Sequence, residues 1–367
     1  TQFQGAVSPL FLSSSYQYDG VDVKRYPRYF NTPNQEGLGK KIAALEKSEA
    51  GMIFSSGMAA VSHCLLAFLH KGDHVVFPQT LYGGTYNFVV EEFHKFGIEY
   101  TFAEGFTEKD FTKAIKANTK VIYVETPSNP LMKITDLEII ARLAKKHSLI
   151  SMVDNTFASP INQTPADFGI DIMIHSATKY MGGHSDICAG AVAASTSHMD
   201  VIWNISKNIG GSLSDYTVWL LERSLKTMAL RVKAQNKTAR KIAKWLEKHP
   251  LVAKVYYPGL KSHPDYLLAK KQMNGYSGML SFELIAPLDP NKFMKQLKLV
   301  KQSMSLAGVE STILSPSHTS HALLSPQERA HQGIADGLLR FSVGIEEKAD
   351  LLADLTQAFE SLTNKRD

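Results

Sequence analysis

The chain has 367 residues, 44% of them hydrophobic, enough for a large buried core and about two domains, and it has no apolar run long enough to span a bilayer. Its 40 basic and 35 acidic residues are interspersed and leave a net charge of +5, which excludes a nucleic-acid-binding arm and keeps small anionic ligands in view. Only two cysteines occur, Cys64 and Cys188, each in a segment expected to be buried, so neither a disulfide framework nor a metal-ligand set is read; without a signal peptide, the cytoplasm is the default location.

Residues 1 to about 31 are rich in Ser, Tyr and Pro with no helical period, and read as an extended arm that needs a surface to lie on. Leu38 to Lys47 reads as a helix. In Gly51-Met52-Ile53-Phe54-Ser55-Ser56-Gly57-Met58-Ala59-Ala60-Val61 a strand runs into small residues and then a helix, so the N–H groups of Gly57 and Met58 are free to bind an anion. Asp73 to Phe77 is another short strand, followed by Leu81-Tyr82-Gly83-Gly84-Thr85-Tyr86-Asn87, whose glycines let Tyr82 stack on a planar ligand.

Strands at Glu99–Ala103 and Val121–Glu125, separated by a helix, continue the alternation of a doubly wound sheet before Thr126-Pro127-Ser128-Asn129-Pro130 turns the chain. The apolar strand Leu149 to Val153 then ends in a single carboxylate, Asp154. Such a carboxylate keeps a pyridine nitrogen protonated, which makes the ring an electron sink. A second apolar strand, Asp171 to Ile174, leads into His175-Ser176-Ala177-Thr178-Lys179-Tyr180-Met181-Gly182-Gly183-His184, placing Lys179 just past a strand's C-terminal end. If that segment is extended, the hydroxyls of Ser176 and Thr178 point the same way, towards an anion beside the lysine amine. A lysine able to form a Schiff base, a phosphate cradle and an Asp for a ring nitrogen together indicate pyridoxal 5'-phosphate.

Gly190 to Ser195 reads as the last strand of the large domain, and Trp219 to Val232 begins a long amphipathic helix bridging two domains. From about residue 232 the pattern changes to helices and short strands, including Gly278 to Glu283, consistent with a smaller α/β domain. The expected division is an arm over 1–31, a cofactor-binding domain over 32–231 and a small domain over 232–367. In the last of these, Arg340 between Leu339 and Phe341 must either form an ion pair or face a cavity.

These stretches, from Gly5-Ala6-Val7-Ser8-Pro9-Leu10 to Arg340-Phe341-Ser342-Val343-Gly344-Ile345-Glu346, resemble the transsulfuration, or Cys/Met metabolism, family of pyridoxal-phosphate enzymes. That family includes cystathionine γ-synthase, the cystathionine lyases, methionine γ-lyase and the homoserine-ester sulfhydrylases. The resemblance implies an α/β fold of the aspartate aminotransferase-like, fold type I class, with a large mostly parallel sheet and a smaller C-terminal domain. It implies that Tyr26 and Arg28 of Tyr26-Pro27-Arg28 reach the cofactor phosphate of a neighbouring subunit, so that active sites are shared in a homo-oligomer, a tetramer built as a dimer of dimers. Asn31-Thr32-Pro33 departs from the family's usual Asn-Pro-Thr order.

The same resemblance makes Tyr82 the stacking ring and a proton carrier for the leaving group. It makes Thr156 a cofactor contact, Asn129 a neighbour of the ring's oxygen edge on the substrate side, and Ser305 a substrate contact in Ser303 to Ser311. Arg340 becomes the bidentate grip on the substrate α-carboxylate. An amino acid would displace Lys179 from the aldehyde, and the freed amine would remove its α-proton, so that a group on Cβ or Cγ departs or is replaced. Cystathionine-handling members place an arginine and a glutamate where this chain has Asn87 and Met304. Elimination or replacement on small sulfur amino acids or homoserine esters is therefore the expectation, with cystathionine synthesis or cleavage as the alternative.

Overall fold

The computed structural model describes residues 5–319, 327, 329 and 333–363. The first large unit is built from β1 (Ala50–Phe54), β2 (His74–Phe77), β3 (Glu99–Phe102), β4 (Thr119–Glu125), β5 (Ile150–Asp154), β6 (Ile172–His175) and β7 (Gly190–Ala194). They form one seven-stranded sheet in the order β1-β7-β6-β5-β4-β2-β3, in which β7 alone runs against its neighbours. The central strands are covered on both faces, which is why β4, β5 and β6 are near-continuous apolar runs.

Alternate residues of these strands feed two cores. Ile53, Val76, Ile122, Val153 and Met173 face one, and Phe54, Phe77, Tyr123, Met152 and Ile174 face the other. The helices α1 (Pro33–Leu45), α2 (Gly57–Phe68), α3 (Gly83–Phe96), α4 (Glu108–Ala114), α5 (Leu137–His147), α6 (Ser159–Asn162) and α7 (Thr196–Ile209) connect or cover the strands. Because β1, β2, β4, β5 and β6 are parallel, their last residues Phe54, Phe77, Glu125, Asp154 and His175 lie along one edge, where such sheets place ligands.

The expected long helix after Trp219 is two helices, α8 (Asp215–Leu225) and α9 (Met228–Leu246). No glycine or proline marks the break. Polar side chains sustain it: Arg231 Nη2 donates to the Ser224 carbonyl at 3.0 Å, and Thr227 Oγ1 donates to the same carbonyl at 3.3 Å. Met228 and Val232 of α9 pack into the large-sheet core, whereas Ala239, Ile242, Ala243 and Leu246 pack into the next one.

That next core lies on a second sheet of β8 (Val252–Tyr256), β9 (Met279–Leu284), β10 (Lys301–Gln302), β11 (Thr312–Leu314) and β12 (Leu338–Ser342), ordered β10-β11-β12-β9-β8. The helices α10 (Tyr266–Gln272), α11 (Pro290–Gln296) and α12 (Lys348–Thr363) accompany it, with Phe293, Leu355 and Phe359 packed onto Phe282 and Phe341 of the sheet. The architecture is thus α/β, with a large mostly parallel sheet and a smaller second one. No helix among the described residues is long and apolar enough to cross a membrane.

The arm lies on α1 and α8. The Trp219 indole donates to the Ser8 carbonyl at 2.9 Å, and Asn34 exchanges bonds with Phe11 N–H and the Pro9 carbonyl, both at 2.9 Å. Beyond Phe11 the arm exposes Leu12, Tyr18, Val21 and Val23.

Candidate active site

Four residues after β6 ends, Lys179 sits in a tight turn, its N–H donating to the Ser176 carbonyl at 3.0 Å. The expected extended segment is therefore not what the chain adopts. The Thr178 hydroxyl is engaged with Ala189, donating to its carbonyl at 3.2 Å and accepting its N–H at 3.0 Å, which ties the lysine turn to the start of β7. Arg231 adds a second tie through the Tyr180 carbonyl at 2.9 Å. Burial, with the Arg340 cation adding to it, pushes the Lys179 amine below its ordinary pKa. No carboxylate pairs with that amine among the described residues.

The start of α2 faces this turn. Ser56 caps the helix by accepting the Ala59 N–H at 3.0 Å, while the N–H groups of Gly57 and Met58 have no intrahelical acceptor by position. A Cβ on Gly57 would lie 2.7 Å from the Ser176 Cβ, so only glycine lets the helix start and the serine come this close. Two backbone donors, the helix dipole and a hydroxyl converge there, a cradle suited to a phosphate.

Asp154 ends β5 and is paired in register with Glu125 at the end of β4. Its Oδ1 accepts the Thr156 N–H at 3.0 Å, and the Thr156 hydroxyl accepts the Ser176 N–H at 2.8 Å. One strand end thus supports the other. Burial raises the Asp154 pKa, while its bonds to Thr156 and the nearby His175 oppose that rise. Glu125, expected only as a strand end, is 5% exposed and pushed up to about 8 by burial and by Asp154. The signal was available: a carboxylate closing an apolar strand, the pattern that singled out Asp154.

Arg340, on β12, crosses from the second sheet into the same space. Its Nη1 donates to Asn129 Oδ1 at 3.2 Å and its Nη2 to the Met304 carbonyl at 3.0 Å. Among the described residues it has no carboxylate partner, and burial lowers its pKa to about 10. Of the two readings open to this arginine, the cavity-facing one holds.

Gly57, Met58, Tyr82, Asn129, Asp154, Thr156, Ser176, Thr178, Lys179 and Arg340 all line one cavity of about 580 Å³, within the usual range for a small-molecule site. Asn87 and Met304 line it too. Cys188 also does, and it is exposed, contrary to expectation: the apolar neighbours Ile187 and Ala189 are buried, but the thiol stands at the mouth. Cys64 is buried as expected. Ser305 lies between the lining residues Met304 and Leu306 without lining the cavity itself, and its carbonyl accepts the Thr312 hydroxyl at 3.1 Å.

Tyr26 and Arg28 are not at the cavity. Tyr26 is 44% exposed, and Arg28 donates to the Lys207 carbonyl and packs over the Tyr29 ring, 5.1 Å from its centroid. Both lie on the arm.

The family described as Cys/Met metabolism PLP-dependent enzyme matches residues 1–360. The chain belongs to this family. Among similar proteins is cystathionine gamma-lyase of Bacillus subtilis, 43% identical over 98% of this chain and 95% of that one. L-methionine gamma-lyase of Fusobacterium nucleatum is 42% identical over 96% of this chain and 93% of that one. Among solved structures, cystathionine gamma-lyase from Lactobacillus plantarum complexed with L-serine superposes with a TM-score of 0.95 at 39% identity, over 99% of this chain and 96% of that one. The family's cofactor is pyridoxal phosphate, and the residues present fit it. Gly57 brings the unpaired N–H groups at the start of α2 against Ser176, a donor set suited to a phosphate, Asp154 offers a buried carboxylate for a ring nitrogen, and the Lys179 amine is depressed towards its neutral, nucleophilic form.

Proposed function

We propose that this Cys/Met metabolism enzyme is a carbon–sulfur lyase that acts at Cβ or Cγ of sulfur amino acids with a short, uncharged distal end, such as methionine or homocysteine, or replaces the acyloxy group at Cγ of a small homoserine ester, released as its carboxylate, with a thiol. The observation that carries this reading is the meeting of Lys179, Asp154 and Arg340 in one cavity where Glu125 is the only other charged lining side chain among the described residues. When bound, pyridoxal phosphate withdraws electrons from the substrate Cα. Gly57, Met58 and Ser176 would hold its phosphate, Thr178 would join them only by turning its hydroxyl from the Ala189 carbonyl, and Asp154, supported by Thr156, would hold its ring nitrogen.

Arg340 meets the α-carboxylate with a planar fork preset by Asn129 and the Met304 carbonyl. Lys179 Nζ, desolvated and beside a cation, takes the proton from Cα. Tyr82 stands half exposed at the head of α3, where its ring can cover the cofactor and its hydroxyl can pass a proton to the leaving group.

Asn87 and Met304 are neutral, and Met304 is 72% exposed, so a distal zwitterion gains no charged partner from them. A second reading, cystathionine cleavage, is favoured by relatives named cystathionine gamma-lyase and cystathionine beta-lyase at 43% and 42% identity. A substrate panel read by mass spectrometry separates the two. The first reading expects keto acid and a thiol, or a new thiol amino acid, from the small substrates, with cystathionine poorer; a preference for cystathionine over every small substrate selects the second. In the first case Met304→Glu with Asn87→Arg should shift kcat/KM towards cystathionine about ten- to a hundredfold, at about 1 kcal/mol per restored contact.

The position of Tyr26 and Arg28, away from their own chain's cavity and on the same arm as the exposed Leu12, Tyr18 and Val23, supports active sites completed by a second copy in a homotetramer. The same reading takes 1–31 as the arm, 32–231 as the cofactor domain and 232–367 as the small domain, with α9 joining the two cores, in a cytoplasmic enzyme.

A further inference from the structure

Glu125 is buried, and both of its oxygens are spent on backbone donors from two different loops. Oε2 accepts the Tyr82 N–H at 2.8 Å, and Oε1 accepts the Asn129 N–H at 2.9 Å. Tyr82 is the residue that immediately precedes α3, its N-cap, and carries the ring at the cavity. Asn129, itself 2% exposed, turns its Oδ1 to Arg340 Nη1 at 3.2 Å. One side chain therefore fixes the loop that bears the ring and the loop that aims the guanidinium, from opposite oxygens.

We propose that Glu125 is a positioning residue for substrate recognition: it clamps the Tyr82 and Asn129 loops together and so orients Arg340 for the α-carboxylate.

The chemistry at the position is restrictive. Two convergent N–H donors require a side chain with two acceptor atoms and no donor between them, which among the amino acids means a carboxylate. Glutamine fills the same volume, but its amide satisfies one N–H and turns a donor on the other, leaving a buried donor unpaired and one loop free to move. Aspartate keeps both acceptors but is one methylene shorter and cannot reach both loops without shifting them. Burial is the main obstacle to ionisation of Glu125, and its direct neighbour in register, Asp154, adds repulsion, while the two N–H bonds favour the carboxylate.

The inference rests on the reading of Arg340 as the carboxylate grip, and the test separates the two. The holoenzyme is titrated with L-alanine and with L-alaninamide, which has the same amine but no carboxylate, and the change in visible absorption of the bound cofactor gives each Kd. In the wild type the ratio of the two constants measures the grip. Glu125→Gln should lower that ratio about tenfold, through weaker alanine binding, while cofactor affinity stays within about threefold. Glu125→Asp should lower it in the same direction by less, and it serves alone if the glutamine variant does not fold. A wild type that does not discriminate between the ligands overturns the reading of Arg340 and this inference with it. A discriminating wild type whose ratio is unchanged in both folded variants, or in Glu125→Asp alone if Glu125→Gln does not fold, overturns the role of Glu125 only.

Discussion

The guanidinium of Arg340 rests on Oδ1 of Asn129 at 3.2 Å and, among the described residues, has no carboxylate to neutralise it. A buried cation held only by neutral acceptors is costly unless an anion joins it, and an α-carboxylate is such an anion. Arg340→Lys keeps the charge but loses the fork. Steady-state kinetics should show kcat/KM for every amino-acid substrate falling by about a hundredfold, from two charge-assisted bonds at about 1.5 kcal/mol each, with most of the loss in KM. An unchanged KM would show that the carboxylate is held elsewhere.

The distance of Tyr26 and Arg28 from the cavity predicts complementation between inactive chains. Lys179→Ala and Arg28→Ala chains, each weakly active alone, should regain part of the wild-type activity when unfolded and refolded together, because a mixed pair builds one site with neither defect. Assay of verified mixed oligomers checks this, and no gain over the separate variants would count against shared sites.

Glu125, raised to about 8 from the ordinary glutamate value, makes the cofactor-free protein pH-sensitive. The folded state holds a proton that the unfolded state has released, so this group's stabilisation is complete below its unfolded pKa and is lost as pH rises towards about 8. His63 and His74, lowered by burial, act in the opposite direction at acid pH, which makes neutral pH and above the informative range. Thermal melts of the cofactor-free wild type and of Glu125→Gln should diverge in pH slope there, by up to about 1.4 kcal/mol per pH unit for one proton. Parallel slopes would mean that Glu125 does not titrate in that range.

Much of this site was legible because its parts sit where a pattern ends. Asp154 closes an apolar strand, Lys179 follows one, and Arg340 interrupts one, and a charge in such a place demands a partner or a cavity. What escaped was set by tertiary contacts. The break between α8 and α9 carries no glycine or proline and is sustained by Arg231, which bridges the Ser224 carbonyl of α8 and the Tyr180 carbonyl of the distant lysine turn. Thr178 bonds Ala189, eleven residues ahead, and this closes the lysine segment into a turn instead of the extended run its alternating hydroxyls suggested. Cys188 shares an apolar stretch with two buried neighbours, and only the placement of the cavity decides that its thiol is exposed. Glu125 could have been found by the rule that found Asp154.

The most direct measurement reduces the protein with borohydride after incubation with pyridoxal phosphate and maps the modified peptide by mass spectrometry. The account predicts a stable pyridoxyl adduct on Lys179 and none on the peptide of a Lys179→Ala variant. An adduct confined to another lysine, or an unlabelled protein that ignores added cofactor, would contradict it.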